Sequence, residues 1–231
     1  AGVNPRHSIL VLPFDNLRRD PAVEWLRDGS VSMLALNLSQ WTDLKVVDHE
    51  RLHDLLHRRK VDAAAPVGLE MARRLARDAG AWTVVLGEFN RVGDSLHLVG
   101  RVYDVASGTR VDLAEIRGRP GDDARPLFDQ LAARLLNISG APAGFTADLA
   151  RVTTPSLEAY RAYLVGLEEL NRWNLAVADS AFRYAVATDS SFGLAYYKLS
   201  LTRGWLTGPA DSSGLAAIRQ ATRYAARLPE H

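Results

Sequence analysis

The residues with the clearest chemical potential stand at the start of a predicted helix, where residues 49–53 read His-Glu-Arg-Leu-His. Histidines four positions apart lie on one face of a helix, and His57 extends the same spacing by another turn. Two such imidazoles can bind Zn²⁺ while the adjacent carboxylate acts as a general base toward a metal-bound water. The pattern therefore defines one enzymatic hypothesis, a zinc hydrolase that uses His49, Glu50 and His53.

The same segment also argues against this hypothesis. Arg51 places a charge between the two histidines, where the helix of a zinc protease is apolar because it is buried under the site. Leu52, Leu55 and Leu56 supply the stripe that faces the core, so the histidines lie mainly off that stripe. Glu70, the one conceivable third ligand, lies beyond a helix break. We therefore predict no metal site.

The composition excludes several other kinds of active site. The 231 residues include no cysteine, so thiolate metal sites, a cysteine nucleophile and disulfides are excluded. The formal net charge is +1, and this balance argues against a surface for nucleic acid. No glycine pattern matches a phosphate-binding loop or a dinucleotide fingerprint, and no nucleophile elbow occurs. We predict no catalytic residue and no cofactor.

The strand and helix patterns of residues 1–140, which include the histidine motif, predict an α/β domain. A continuous apolar run predicts a buried strand, and three later segments with a period of two predict an antiparallel meander. The predicted strands cover residues 8–14, 44–47, 82–89, 95–103 and 110–116, and the predicted helices include residues 29–40, 66–80 and 124–136. The order is β-α-β-α-α-β-β-β-α, a mixed sheet covered by helices. The predicted fold class is α+β, followed by an all-α helical array.

Three short motifs in this domain occur in a recognisable order. Residues 8–16 read Ser-Ile-Leu-Val-Leu-Pro-Phe-Asp-Asn, residues 87–88 read Gly-Glu, and residues 104–108 read Asp-Val-Ala-Ser-Gly. Over about residues 8–138 the chain resembles the TolB amino-terminal-like domain of bacterial envelope and signalling proteins. The resemblance implies that helical repeats follow this domain. It also implies that a membrane segment and a serine/threonine kinase, a nucleotide cyclase or a DNA-binding domain precede it in the parent protein.

A linker is predicted over residues 141–153, and two helical hairpins are predicted over residues 154–231. Gly166, Ala178, Phe182 and Ala185 have the spacing of the small and aromatic signature positions of tetratricopeptide (TPR) repeats. In this resemblance Gly166 permits a close approach of the paired helices and Phe182 fills the gap between them.

The resemblance to TPR repeats also has departures. Glu169 stands where an aromatic residue is usual, and Ser190 replaces the usual proline. In the second copy, residues 205–214 predict a connection that is longer than the usual turn. Stacking normally requires about three repeats. We therefore expect the array to continue beyond residue 231, or the two hairpins to pack against the first domain.

The repeat register predicts a concave groove on the first helix of each hairpin. The groove is an apolar and aromatic strip made of Tyr160, Tyr163, Leu167, Asn171, Leu194, Tyr197, Leu201 and Trp205. Such a strip suits a peptide or a partner helix. The alternative is that a further repeat, or the first domain, covers it.

We therefore predict a non-catalytic sensor or protein-interaction region of a larger bacterial signalling protein, C-terminal to a membrane-anchored kinase, cyclase or DNA-binding domain. A cell-envelope assembly or transport accessory protein is the alternative, and the zinc hydrolase is a remote one. The predicted partner is a protein or peptide at the TPR concave face, not a nucleic acid, and the oligomeric state stays open.

The expected location is the periplasmic side of a membrane-anchored parent, with the cytoplasm as the alternative. Residues 9–12, the longest apolar run near the start, are too short to cross a membrane, and an anchor upstream stays open.

Overall fold

The computed structural model describes residues 7–62, 65–121, 123–142, 145–208 and 211–225. The chain divides into two compact units, the first ending at Asp148 and the second beginning at Leu149. The first unit contains a mixed sheet with helices, and the second is helical. The predicted fold class, an α+β domain followed by a helical region, is confirmed. Within the described residues, none of the helices combines the length and the apolar character needed to cross a bilayer.

The described part of the first unit follows the predicted order of elements, with one additional short strand. Its strands are β1 (Ser8–Val11), β2 (Asp15–Asn16), β3 (Lys45–Val46), β4 (Thr83–Val92), β5 (Ser95–Asp104) and β6 (Arg110–Gly118). Its helices are α1 (Leu26–Leu38), α2 (His49–Arg58), α3 (Leu69–Ala79) and α4 (Arg125–Ile138).

The sheet has the strand order β3-β1-β4-β5-β6, and β2 also pairs with β4. The pairs β1–β3, β1–β4 and β2–β4 are parallel. The pairs β4–β5 and β5–β6 are antiparallel, so the predicted meander is confirmed. Gly93 and Gly108 lie in the two connections with positive φ angles of 58° and 75°, which glycine adopts without the steric cost of a Cβ atom.

Helices cover both faces of the sheet because consecutive strand residues point to opposite sides. Val84 packs with buried leucines of α2 and α3, including Leu52 and Leu75. Val85, its neighbour, faces the other side. A Cβ atom at Gly100 of β5 would lie 3.6 Å from Val85 and 3.7 Å from Leu131 of α4, so α4 covers this side. The core of the first unit therefore has two layers, one on each side of β4.

Strand β6 ends the sheet and is irregular. Asp112 pairs with Val102 whereas Arg110 pairs with Tyr103, so Val111 is an extra residue that forms a bulge. The Asp112 carboxylate accepts the backbone N–H of Leu113 at 2.7 Å. The bulge and this hydrogen bond modify the outermost strand.

Two predicted helix starts are wrong. Helix α1 begins at Leu26 rather than after Asp28, which lies inside its first turn. The Asp20 carboxylate caps a short 3-10 turn, Pro21–Val23, which precedes α1, by accepting the N–H of Ala22 at 3.0 Å. Helix α3 begins at Leu69 after Gly68, three residues later than predicted.

The described part of the second unit consists of five helices. They are α5 (Leu149–Val152), α6 (Leu157–Asn171), α7 (Leu175–Thr188), α8 (Gly193–Thr207) and α9 (Ser212–Arg223). Helix α5 falls inside the predicted linker, of which residues 143–144 lie outside the described residues. Helix α8 continues to Thr207, so the long connection predicted to begin at residue 205 is wrong, and Trp205 lies in the last turn of α8.

Helices α6 and α7 form one hairpin and α8 and α9 form another, with α7 packed against α8. A Cβ atom at Gly166 would lie 2.4 Å from the ring of Phe182, so the ring occupies the space that the glycine leaves. The predicted contact between these two residues is present. The ring of Tyr163 joins the two hairpins, because its centroid lies 5.8 Å from that of Phe182 and 5.0 Å from that of Phe192.

Candidate functional site

The structure separates the eight predicted groove residues into a buried group and an accessible group. Tyr160, Tyr163 and Leu167 are buried. Asn171, Leu194 and Leu201 are half-buried, and Tyr197 and Trp205 are exposed.

The inclusion of Tyr160, Tyr163 and Leu167 in an open strip is wrong, because all three side chains are buried. The ring of Tyr163 is part of the aromatic cluster between the hairpins. Truncation of Tyr163 would therefore disturb packing before it tested binding. Partner binding by the accessible residues stays a prediction.

The accessible part of the strip is extended by a residue that the sequence reasoning missed. Trp173, just after α6, has its ring centroid 5.4 Å from that of Trp205, with 38° between the two planes. The two residues remain 65% and 51% exposed. We call these two side chains the tryptophan pair. Indole rings supply a large contact area and are enriched among the residues that dominate binding energies at interfaces.

The backbone at the end of α6 fixes the position of Trp173. Its φ angle of 59° is left-handed, a conformation that is unusual for a bulky residue. The N–H of Trp173 donates to Leu170 O at 2.9 Å, and the N–H of Asn174 donates to Glu169 O at 2.8 Å. These two bonds form a Schellman motif, in which glycine usually occupies the left-handed position. The end of α6 is thus capped by the usual pair of hydrogen bonds. The left-handed position, where glycine is usual, is occupied by a tryptophan.

Ion pairs and hydrogen bonds surround the base of the tryptophan pair. Arg172 contacts Glu168 at 2.6 Å and Glu169 at 2.8 Å. The side-chain amide of Asn174 donates to the other carboxylate oxygen of Glu169 at 2.8 Å. The charged groups beside Trp173 are therefore held by one another, which leaves the indoles as the apolar part of this surface.

The histidine motif lies on α2, as predicted. The Asp48 carboxylate caps this helix by accepting the N–H of Arg51 at 2.6 Å. Burial lowers the pKa of His53, and the neighbouring His57 lowers it further. The described residues contain no group of three or more histidine, cysteine or carboxylate side chains placed to hold a metal ion. Within this part of the chain the zinc hydrolase hypothesis lacks a third protein ligand.

A row of carboxylates crosses the face of the sheet. Asp15, Glu88, Val99 and Glu115 are successive partners across β2, β4, β5 and β6. Each carboxylate of the row has a cationic or ionisable neighbour. The pairs are Asp15–Arg27 at 3.7 Å, Glu88–Arg101 at 2.6 Å and Glu115–His97 at 2.6 Å.

The pKa values of the first two carboxylates of this row, Asp15 and Glu88, are shifted in opposite directions. Burial raises the pKa of Asp15, Arg27 opposes that shift, and the Glu88 carboxylate adds to it. The hydrogen bond from Arg101 lowers the pKa of Glu88. These contacts form an ion-paired sheet face.

The motif at residues 104–108 builds a turn. The Asp104 carboxylate accepts the backbone N–H and the hydroxyl of Ser107, both at 2.7 Å. The guanidinium of Arg73 donates to Val105 O at 2.9 Å and to Ala106 O at 2.6 Å. A Cβ atom at Gly108 would lie 2.8 Å from that guanidinium. The residues that carry the TolB-like resemblance at this point therefore have structural roles.

The comparisons with known proteins give only structural likenesses. No family model matches the chain, and no curated protein matches it. The LpoB C-terminal domain from Salmonella enterica is 18% identical over 51% of this chain and 86% of its own, with a TM-score of 0.37. A lipoprotein from Neisseria meningitidis is 20% identical over 58% of this chain and 97% of its own, with a TM-score of 0.43.

A third solved structure, a PelC dodecamer from Paraburkholderia phytofirmans, is 15% identical over 62% of this chain and 94% of its own, with a TM-score of 0.38. All three TM-scores are below 0.5, so we draw no function from these likenesses. The resemblance to TolB-like and TPR proteins stays a prediction, because none of the comparisons tests it.

Proposed function

We propose that this chain is a non-catalytic protein-binding region whose helical hairpins contact a protein or peptide partner. The observation that carries the proposal is the tryptophan pair, two indoles from successive hairpins that touch and yet remain more than half exposed. Exposure of large apolar side chains to water is unfavourable in free energy, and burial against a partner removes this unfavourable contribution. The accessible Tyr197 belongs to the same predicted strip.

A capture experiment with matched variants tests this proposal. Biotinylated wild-type protein and the double variant Trp173→Ala/Trp205→Ala are incubated with extract of the cells that make the protein, and the retained proteins are quantified by mass spectrometry. We expect at least one protein that is retained by the wild type and lost from the double variant. The control is Trp82→Ala, which removes an exposed indole from the first unit. Equal retention of every protein by all three forms would overturn the proposal.

For the parent protein we propose a cell-envelope accessory protein on the periplasmic side. The resemblance of residues 8–138 to the TolB amino-terminal-like domain of bacterial envelope proteins supports this class. Fractionation of cells that express the full-length gene tests the parent class. An envelope protein is recovered with the membrane or the periplasm. A signalling parent would instead show a kinase, cyclase or DNA-binding domain on the same polypeptide.

A further inference from the structure

The tryptophan pair has a charged margin that contains both signs of charge. The side chain of Arg172, next to Trp173 in the chain, is 61% exposed, and that of its ion-pair partner Glu168 is 43% exposed. Glu169 also contacts Arg172, but its side chain is only 16% exposed and is held by Asn174 as well. The accessible margin therefore presents one carboxylate and one guanidinium, one helical turn apart on α6.

The cations of α8 do not change this balance. Nζ of Lys198 lies 5.5 Å from the ring centroid of Tyr197, so its ammonium is held over an aromatic face. Arg203 is paired with Asp179 of α7 at 2.8 Å. Together with the two glutamates and the arginine of α6, these groups amount to three cations and three carboxylates. The surface around the tryptophan pair thus has no net charge that would select an acidic or a basic partner.

An apolar surface with a margin of both signs is complementary to itself. In an interface with two-fold symmetry the same patch of each copy is in contact, so an apolar centre meets an apolar centre. The two-fold axis also sets the Glu168–Arg172 pairs of the two copies side by side in opposite directions, so each charge gains an opposite neighbour. The net charge of the whole chain is +1, so two copies approach each other with little long-range repulsion.

The exposed area of the tryptophan pair is that of a weak interface. At roughly 250 Å² for a tryptophan, exposed fractions of 65% and 51% correspond to about 290 Å² in each copy. Two copies that pair these surfaces bury about 600 Å² of indole area, half of the roughly 1,200 Å² at the lower limit of stable interfaces. The charged margins and the accessible Tyr197 add to this area. We therefore expect association in the micromolar to millimolar range.

We propose that the tryptophan pair is the centre of a symmetric contact between two copies of this chain. The indoles of the two copies pack against each other, and Glu168 of each copy pairs with Arg172 of the other. The left-handed backbone of Trp173 is unfavourable for a bulky residue, and a contact that uses its indole accounts for a tryptophan at this position. This proposal rests on the protein-binding function proposed above and names the partner as a second copy.

Sedimentation equilibrium of the purified protein, from about 1 µM to about 1 mM, tests the association. We expect the weight-average mass to rise with concentration from that of a monomer toward that of a dimer. The double variant Trp173→Ala/Trp205→Ala should stay monomeric over the same range. The control Trp82→Ala, which removes an exposed indole from the first unit, should associate like the wild type.

Charge reversals at the margin then test the symmetry of the contact. Glu168→Arg and Arg172→Glu should each weaken the dimer by about tenfold or more, because each places like charges opposite one another. An equimolar mixture of these two variants should associate again, because both contacts of the mixed dimer join opposite charges. Glu70→Arg, which breaks an exposed helical ion pair with Arg73 in the first unit, should have no effect. Thermal unfolding followed by circular dichroism confirms that each variant is folded.

Three results would overturn the proposal. A wild-type protein that stays monomeric at the highest concentration removes the second copy as partner, while the capture experiment decides the protein-binding function separately. A dimer that persists in the double tryptophan variant has its contact elsewhere on the chain. A mixture of the two charge variants that associates no better than either variant alone contradicts the symmetric pairing of Glu168 with Arg172.

Discussion

The ring of Phe14 occupies the space in which residue 87 would carry a side chain. Three ring carbons lie 2.1, 2.2 and 2.3 Å from the position of a Cβ atom at Gly87, well inside any normal contact. Phe14 follows β1 and is completely buried, and its ring lies 6.3 Å from that of Phe128 on α4. The ring of Phe14 therefore requires a glycine at position 87. The two residues belong to two of the motifs that carry the TolB-like resemblance, and they contact each other here.

We predict that Gly87→Ala destabilises the first unit by about 1–3 kcal/mol, because the added methyl group overpacks the core against Phe14. Urea unfolding measures the change. Gly100→Ala is the matched control, since Gly100 pairs directly with Gly87 and a Cβ atom there meets its neighbours at ordinary distances of 3.6–3.8 Å. In the background of Phe14→Leu, the penalty of Gly87→Ala should shrink. Full additivity of the two changes would contradict the contact.

In the second unit, alanine substitutions at two glycines should change the free energy of unfolding in opposite directions. Gly166→Ala should lower the free energy of unfolding by about 1–3 kcal/mol, because the new Cβ atom meets the ring of Phe182. Gly204→Ala should raise it by about 0.5–1 kcal/mol, since alanine is the better helix former and a Cβ atom in α8 meets nothing within 4 Å. Helix unfolding by circular dichroism measures both. The same sign for both variants would refute the packing described here.

Trp173 should show a trade-off between stability and binding. Trp173→Gly relieves the left-handed backbone strain and should stabilise the second unit by about 1 kcal/mol. The same change removes one indole of the tryptophan pair and should weaken capture of the partner. Trp205→Ala serves as the control, because it should weaken capture without the gain in stability. A Trp173→Gly variant that is less stable than the wild type would contradict the strain.

The turn at Asp104 should make part of the stability depend on pH. Hydrogen bonds from the N–H and the hydroxyl of Ser107 lower the pKa of Asp104, so the folded state favours the ionised carboxylate. This contribution is complete above the ordinary carboxyl pKa of about 4 and is lost as the pH falls through the lower pKa of the folded state.

Unfolding of wild-type protein and of Asp104→Asn between pH 6 and pH 2 measures that dependence. The difference in free energy of unfolding between the two proteins should be greatest at pH 6 and shrink toward pH 2. A constant difference across this range would show that the charge of Asp104 contributes nothing.

The features that the sequence predicted correctly are those with local signals. The meander follows from alternating residues between turns that contain Gly93 and Gly108. Strand β2 was missed because it has two residues and depends on a partner more than 70 positions away, Asp15 with Glu88. The predicted start of α1 at residue 29 was late because a 3-10 turn, Pro21–Val23, leads into a helix that already begins at Leu26.

The candidate sites were harder to predict because tertiary packing decides them. A helical register places Tyr163 on the first helix of a hairpin, but only the position of Phe192 shows that its ring is buried. The exposure of Trp173 depends on a left-handed backbone that local sequence does not reveal in a tryptophan.

The irregular strand β6 has a consequence for behaviour at high concentration. A long edge strand is a template on which further copies can add and begin to aggregate. The bulge at Val111 disturbs the regular ladder, and Asp112 already accepts the N–H of Leu113. A copy that docked in register would also bring like charges at positions such as Arg117 close together. We therefore expect the bulge and its neighbouring carboxylate to hinder the addition of further copies at this edge of the sheet.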